Sequence, residues 1–252
     1  LLYLVEHFYS IQGEGRYTGV PSLFFRFGGC NMRCEGFGCI ETAPDGTEVR
    51  GCDTVYAVDK RHFGASWMCI EHVDELITIM KSYTLPQNVD VVLTGGEPLI
   101  YADNALFVRF IEYLVDNNHR VTFETNGAMA VDFAKYPVYR ECVYALSIKL
   151  SNSGEPLHKR VRPQAFVPIT NEAKESFFKF TIDKDSIGED MAHEMDDIIA
   201  FAPQTQVYCM PMGASRVEVE ANTEAVIAFC KAKGYTYSDR LHIRIWDKNR
   251  GV

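Results

Sequence analysis

Nowhere in the 252 residues is there a run approaching the roughly 20 apolar residues that a membrane span requires. Basic charge is scarce as well: 25 Lys and Arg stand against 34 Asp and Glu, a formal net charge of −9. Such a balance disfavours nonspecific binding to nucleic-acid phosphates or to anionic lipid. The opening LLYLV is too short for a secretory core, has no basic segment before it and runs straight into Glu6 and His7. Without secretory features, the eight cysteines are expected as free thiols in a reducing cytoplasm rather than as a disulfide framework. The hydrophobic share of 47% is ordinary for a globular protein, so one domain over residues 1–252 is expected.

A second closely spaced cysteine pair is also missing, and that shapes the reading of Cys30 to Thr54, CNMRCEGFGCIETAPDGTEVRGCDT. Four of the eight cysteines fall here: three residues separate Cys30 from Cys34, seventeen separate Cys34 from Cys52, and Cys39 lies between. Thiolates this dense outside a secreted chain bind metal more often than they form disulfides. A structural zinc would use all four, usually in two short-spaced pairs. A [4Fe–4S] cube held by three leaves one iron open to a small molecule. Spacing leaves Cys39 and Cys52 as rival third ligands.

Along the chain, apolar runs alternate with amphipathic stretches. Strands are expected at Leu23 to Phe27, Asp90 to Leu93, Arg120 to Glu124, Cys142 to Ser147, Phe177 to Ile182 and Gln206 to Met210. Helices are expected over Trp67 to Lys81, Ala102 to Val115, Asp196 to Phe201 and Val217 to Lys233. About six βα-like units fall short of a complete barrel and indicate an α/β fold, an open partial βα barrel. The tail from Ser238 to Trp246 alternates polar and apolar residues and reads as a strand carrying His242 and Arg244 on one face. Cys69, Cys142, Cys209 and Cys230 are scattered and fit small buried roles.

Three motifs sit at element ends. Ser10-Ile-Gln-Gly-Glu-Gly15 interrupts an apolar opening with two glycines, which lets backbone run close to a ligand. Arg26 is the one charge inside an aromatic strand, four residues before Cys30, and a guanidinium there suits an anionic group. Thr94-Gly-Gly-Glu-Pro98 ends a buried strand at the sheet edge where ligands bind in such folds.

CNMRC resembles the opening of the radical S-adenosylmethionine motif and GGEP its cofactor-holding turn. With SIQGEG, TGVPS and the Cys-Asp-Thr run at residues 52–54, the chain resembles the 7-carboxy-7-deazaguanine synthases along nearly its whole length. The resemblance implies a radical SAM-type partial barrel with an extended cluster-binding loop, residues 35–51 forming an insert within it. It implies Cys30, Cys34 and Cys52 as cluster ligands, with Cys39 as the alternative to Cys52, and Thr54 as a magnesium ligand. For S-adenosylmethionine it implies Gly51, Asp53, Gly96, Glu97, Ser147, Ile148, Lys149, Met210, Pro211, Met212 and Gly213. For a pterin substrate it implies Ile11, Gln12, Gly13, Glu14, Arg26, Thr94, His242 and Val252, with residues 236–252 folding back over the site. The implied reaction starts with an electron from a donor such as flavodoxin and a 5′-deoxyadenosyl radical that takes hydrogen from C6 of 6-carboxy-5,6,7,8-tetrahydropterin. Ring contraction with loss of ammonia then gives 7-carboxy-7-deazaguanine, in an enzyme expected to be a homodimer. Two other classes share parts of the pattern: a glycyl-radical activating enzyme, and a zinc module using all four clustered cysteines.

Overall fold

Runs such as VVLTG, VYAL and SFFKF are apolar at nearly every position, the pattern of strands covered on both faces. The computed structural model describes residues 1–86 and 88–252. Its strands are β1 (Leu2–Ile11), β2 (Pro21–Phe27), β3 (Cys39–Thr42), β4 (Glu48–Gly51), β5 (Met68–Ile70), β6 (Asp90–Gly95), β7 (Val121–Thr125), β8 (Val143–Leu146), β9 (Glu175–Ile182), β10 (Gln206–Pro211) and β11 (Thr236–Tyr237). The helices are α1 (Val55–Val58), α2 (Lys60–Phe63), α3 (Val73–Lys81), α4 (Ala105–Asp116), α5 (Leu157–Arg160), α6 (Pro163–Glu172), α7 (Glu189–Ile199), α8 (Arg216–Lys233) and α9 (Leu241–Trp246).

Nine strands form one sheet in the order β11-β10-β9-β8-β7-β6-β2-β1-β5. From β2 to β11 every neighbouring pair is parallel, whereas β1 runs antiparallel to both β2 and β5. Each parallel crossover returns the chain to the same edge, so the carboxyl ends of β2 and β6 to β10 collect the loops that could hold a ligand. The partial βα barrel expected from the sequence is the architecture observed.

Outward-facing strand residues and the helices share one large core. In α4, Phe107, Phe110, Ile111 and Leu114 are fully buried, while Asn104 caps the first turn by accepting hydrogen bonds from the amides of Leu106 and Phe107 at 2.9 and 3.3 Å. Each such side chain contributes about 1.5–3 kcal/mol on leaving water. The inward face is different. Val143, Ala145, Phe177 and Tyr208 form a small apolar layer against which Tyr17 packs. Tyr17 comes from the β1–β2 loop, which leaves the sheet at the amino end of β2, since Ile11 pairs with Pro21. That loop floors the barrel, opposite the cysteines.

Three expectations need correction. Trp67 to Lys81 is not one helix: Met68–Ile70 pairs with Leu2 to Leu4, and α3 begins only after His72. The Glu75 carboxylate fixes that start by accepting hydrogen bonds from the amides of Glu71 and His72 at 2.8 and 2.7 Å. The second acidic helix, α7, starts at Glu189, not Asp196. The strand expected over Ser238 to Trp246 is absent: β11 ends at Tyr237, and Leu241–Trp246 is helical. The strand stops where the Leu241 amide turns to the Gly13 carbonyl at 2.8 Å. His242 and Arg244, two residues apart on a helix, therefore point in different directions. His242 faces Gly13, and Arg244 donates to Asp239, Glu220 and Thr223.

Candidate active site

The cysteine loop springs from the end of β2 and is held from three sides. Tyr101 donates its hydroxyl to the Gly28 carbonyl at 2.5 Å, the Gly29 amide donates to Ala57 at 2.7 Å, and the Glu97 amide donates to Gly29 at 2.8 Å. The approach of the two loops is close: a Cβ on Gly96 would lie 2.3 Å from the Gly29 oxygen. Glycine at 96 is therefore a packing requirement. The Glu97 carboxylate, buried completely, accepts from the Leu99 amide, the Thr125 hydroxyl and the Asn126 amide at 3.0, 2.7 and 2.7 Å. Burial raises its pKa despite these donors. It braces the ends of β6 and β7 from behind the cavity wall.

Cys30, Cys34 and Cys52 gather around Met32, Phe37 and Ala128 in one apolar cluster. Cys39 stays outside it, on β3, opposite Gly51 of β4, with Asp53, Cys52, Glu218 and Arg240 as its ionisable neighbours. The insert thus forms a short turn at Glu35–Phe37 followed by the β3–β4 hairpin. Burial pushes the thiols up, Cys34 to about 12 and Cys39 to about 11, with Cys30 and Cys52 raised as well. Thiolates in such surroundings need positive charge close by, as a bound metal would supply. Among the described residues no three His, Cys, Asp or Glu side chains converge on a point that could hold a single ion. A cube spreads its thiolates over three separate irons, so three thiols bordering a common apolar space fit a cluster better than one tetrahedral zinc. Asn126 closes this space, donating to Asn31 at 2.7 Å with its Nδ2 3.9 Å from Cys30 Sγ.

Below the thiols a cavity of about 870 Å³ descends through the barrel. Its upper wall carries Thr54, Asp53, Thr94, Gly96, Ser147, Lys149, Met210, Met212 and Gly213. Lys149 donates to the Ser147 hydroxyl at 2.9 Å. The Thr54 hydroxyl lies 3.4 Å from Cys52 Sγ and makes no helix-capping bond, although Thr54 precedes α1. Gly51, Glu97, Ile148 and Pro211 stand behind this wall rather than on it. Val252 of the tail borders the mouth.

Below the thiols the cavity walls carry charge at two levels. Arg26, in register with Thr94, spends its Nε on Glu6 at 2.7 Å and lies over the Tyr56 ring at 5.9 Å, leaving the end of its fork toward the cavity. Glu6 also accepts from the Tyr56 hydroxyl at 2.8 Å. Across the barrel, Lys179 is 3% exposed and pairs with Glu14 at 2.9 Å and with Glu124. Gln12 donates to Glu124 at 3.1 Å and accepts from the Glu14 amide at 3.1 Å. Arg240 takes the other Glu14 oxygen at 2.8 Å and Asp53 at 2.7 Å, and donates to the Gly213 carbonyl. His242 Nε2 lies 3.9 Å from Glu14.

Burial opposes the Glu14 charge, but Lys179, Arg240 and His242 outweigh it and hold the carboxyl well below its usual range. Arg240 lowers Asp53 against burial in the same way. Burial depresses His242, which is neutral near pH 7. A buried lysine survives only with such partners.

Of the expected substrate residues, Ile11, Gln12, Gly13, Glu14, Arg26, Thr94, His242 and Val252 all line the cavity. Glu124, Lys179 and Arg240 line it too and were not anticipated. A cue existed for one of them. Lys179 interrupts SFFKF as Arg26 interrupts LFFRF, a lone cation in an aromatic strand.

No family model matches the chain. Curated 7-carboxy-7-deazaguanine synthases do. That of Rhodopirellula baltica is 30% identical over 100% of this chain and 89% of its own length. That of Halobacterium salinarum is 28% identical over 96% and 89%. Among solved structures, that of QueE from Escherichia coli superposes with a TM-score of 0.64 at 21% identity, covering 96% of this chain and 94% of that one.

Proposed function

This chain belongs to the 7-carboxy-7-deazaguanine synthases, and from that premise we propose that it is a radical S-adenosylmethionine enzyme contracting 6-carboxy-5,6,7,8-tetrahydropterin to 7-carboxy-7-deazaguanine with loss of ammonia. The observation that carries the reading is the meeting, in one cavity, of a three-thiol apolar pocket, the Arg26 fork level with Thr94, and a buried cluster of charged side chains. When bound, the [4Fe–4S] cluster and S-adenosylmethionine supply a 5′-deoxyadenosyl radical able to take the hydrogen at C6 of the substrate.

The chain's own residues bind, orient and exclude water. Cys30, Cys34 and Cys52 hold the cluster, and Gly96, Ser147, Lys149 and the strand end at 210–213 border the space for S-adenosylmethionine. Arg26 takes the substrate carboxylate with the free end of its fork. Gln12 and the backbone at 11–14 offer amide groups to the pterin edge. With both Glu14 oxygens already bonded, Glu14 sets this loop's position. Thr54 contributes one hydroxyl to magnesium, an ion that keeps several waters and can complete its shell from a substrate carboxylate. A flavodoxin-type donor, a homodimer and a cytoplasmic setting belong to the same proposal. Among the described residues no helix is long and apolar enough to cross a membrane.

The test is anaerobic reconstitution with iron and sulfide, followed by turnover with the carboxypterin, S-adenosylmethionine and magnesium. Formation of the deazaguanine, lost in Arg26→Ala while the cluster is retained, supports the reading. Absence of product from a fully clustered wild type overturns it.

A further inference from the structure

We infer that Arg240 is a positioning residue that fixes the substrate loop in register with the cluster loop, an inference resting on the function proposed above. Its guanidinium, in a residue 7% exposed, divides three ways: Nε to Glu14 at 2.8 Å, Nη2 to Asp53 at 2.7 Å, and Nη1 to the Gly213 carbonyl. Glu14 belongs to the β1–β2 loop on the barrel floor. Asp53 lies between Cys52 and Thr54 at the top. Gly213 lies in the loop that follows β10. One guanidinium thus ties the Glu14 carboxylate of the substrate loop to the Asp53 carboxylate of the cluster loop.

The surroundings of Arg240 show what its loss would and would not do. The tail has anchors of its own on the floor loop. The Gly15 amide donates to the Ser238 hydroxyl at 2.7 Å, the Leu241 amide donates to Gly13 at 2.8 Å, and the His242 ring packs on Gly13. Glu14 keeps its second partner, Lys179. Asp53, with a side chain 39% exposed, can be solvated from the cavity. Removing the guanidinium therefore leaves the floor loop and tail docked and loosens the segment that follows Cys52, which keeps its anchors farther on at Tyr56 and Ala57. What changes is the offset between the two loops.

Hydrogen transfer between two bound molecules is steep in that offset, and a misplacement of about 1 Å can cost on the order of 100-fold in rate. A fork-shaped cation suits the task because it fixes direction as well as distance; a lysine would reach one carboxylate and let the other go.

The experiment compares Arg240→Gln and Arg240→Lys with wild type. In the cofactor-free chain, hydrogen–deuterium exchange should quicken at residues 51–58 and remain unchanged at 11–20. In reconstituted protein, iron and sulfide content should hold, KM should move by less than about threefold, and kcat should fall about 10- to 100-fold. Free 5′-deoxyadenosine released per product should rise. Lysine should recover only part of kcat. Asp53→Ala cuts the same link from its exposed end and should reproduce the exchange pattern if Arg240→Gln proves insoluble. Quickened exchange confined to the floor loop and tail, or an unaltered exchange map, would overturn the inference. A wild type that makes no product would remove the proposed function while leaving the exchange comparison to decide the link itself.

Discussion

Gly13 lies so close to the imidazole of His242 that a methyl group on its Cα would stand 2.0 Å from Nδ1. The floor loop and the tail helix are therefore matched at a single hydrogen atom. Gly13→Ala should push α9 outward, lowering stability by about 1–3 kcal/mol and raising KM for the pterin. Thermal denaturation with steady-state kinetics checks this. An unshifted melting temperature would show that the tail yields without cost.

Cys52 and Cys39 are separated by their surroundings, one in the apolar thiol cluster and the other on the hairpin. Cys52→Ala should abolish the iron and sulfide content of anaerobically prepared protein, and Cys39→Ala should leave it intact. Elemental analysis and the visible spectrum read this directly. The reverse outcome would transfer the third ligand to Cys39.

Lys179 is buried between two carboxylates. Lys179→Met should destabilise the fold by about 3–5 kcal/mol at neutral pH, since it removes the cation paired with Glu124 and leaves Glu14 with Arg240 alone. Urea titration measures the loss. Adding Glu124→Gln should recover part of it, and strict additivity of the two changes would mean that the pair is not coupled.

Acid should weaken the fold in two stages. His242 has a folded pKa below its ordinary value of about 6.5, so the unfolded chain takes up that proton first and stability declines as pH falls through this range. Glu14 and Asp53 are likewise depressed, so their contribution, complete above the usual carboxylate range near pH 4, is lost as pH falls toward their lower folded values. His242→Gln should flatten the first stage and Glu14→Gln the second in urea titrations across pH 3 to 8.

Thr54 leaves its hydroxyl uncommitted to the helix it precedes. Thr54→Ala should therefore keep the cluster and the fold while lowering turnover and weakening its dependence on added magnesium. A magnesium titration superposing on that of wild type would remove Thr54 from the ion.

The parallel strands were legible because most centre on a short apolar run, and the edge motifs because glycine beside a charged or thiol residue marks backbone held close to something. The thiol loop and the turn at residues 94–98 stood out for that reason. Two features escaped. LHIRIW alternates like a strand, yet a stretch this short fits a helical turn equally well, and its fate was set by Gly13 accepting from Leu241 across the fold. Arg240 escaped because its carboxylates lie on distant segments, and Lys179 was marked only by its place in an aromatic strand, its partners being equally distant. Glu97 was visible as a motif residue, but that its oxygens face inward depends on Thr125 and Asn126, a strand away.

The Glu14–Arg240 contact joins positions 226 residues apart. During synthesis the floor loop emerges early and stays without that partner while the ribosome makes the rest of the barrel at about 5–20 residues per second. For those seconds Glu14 can pair only with Lys179, and the fork that ties it to Asp53 comes with residue 240.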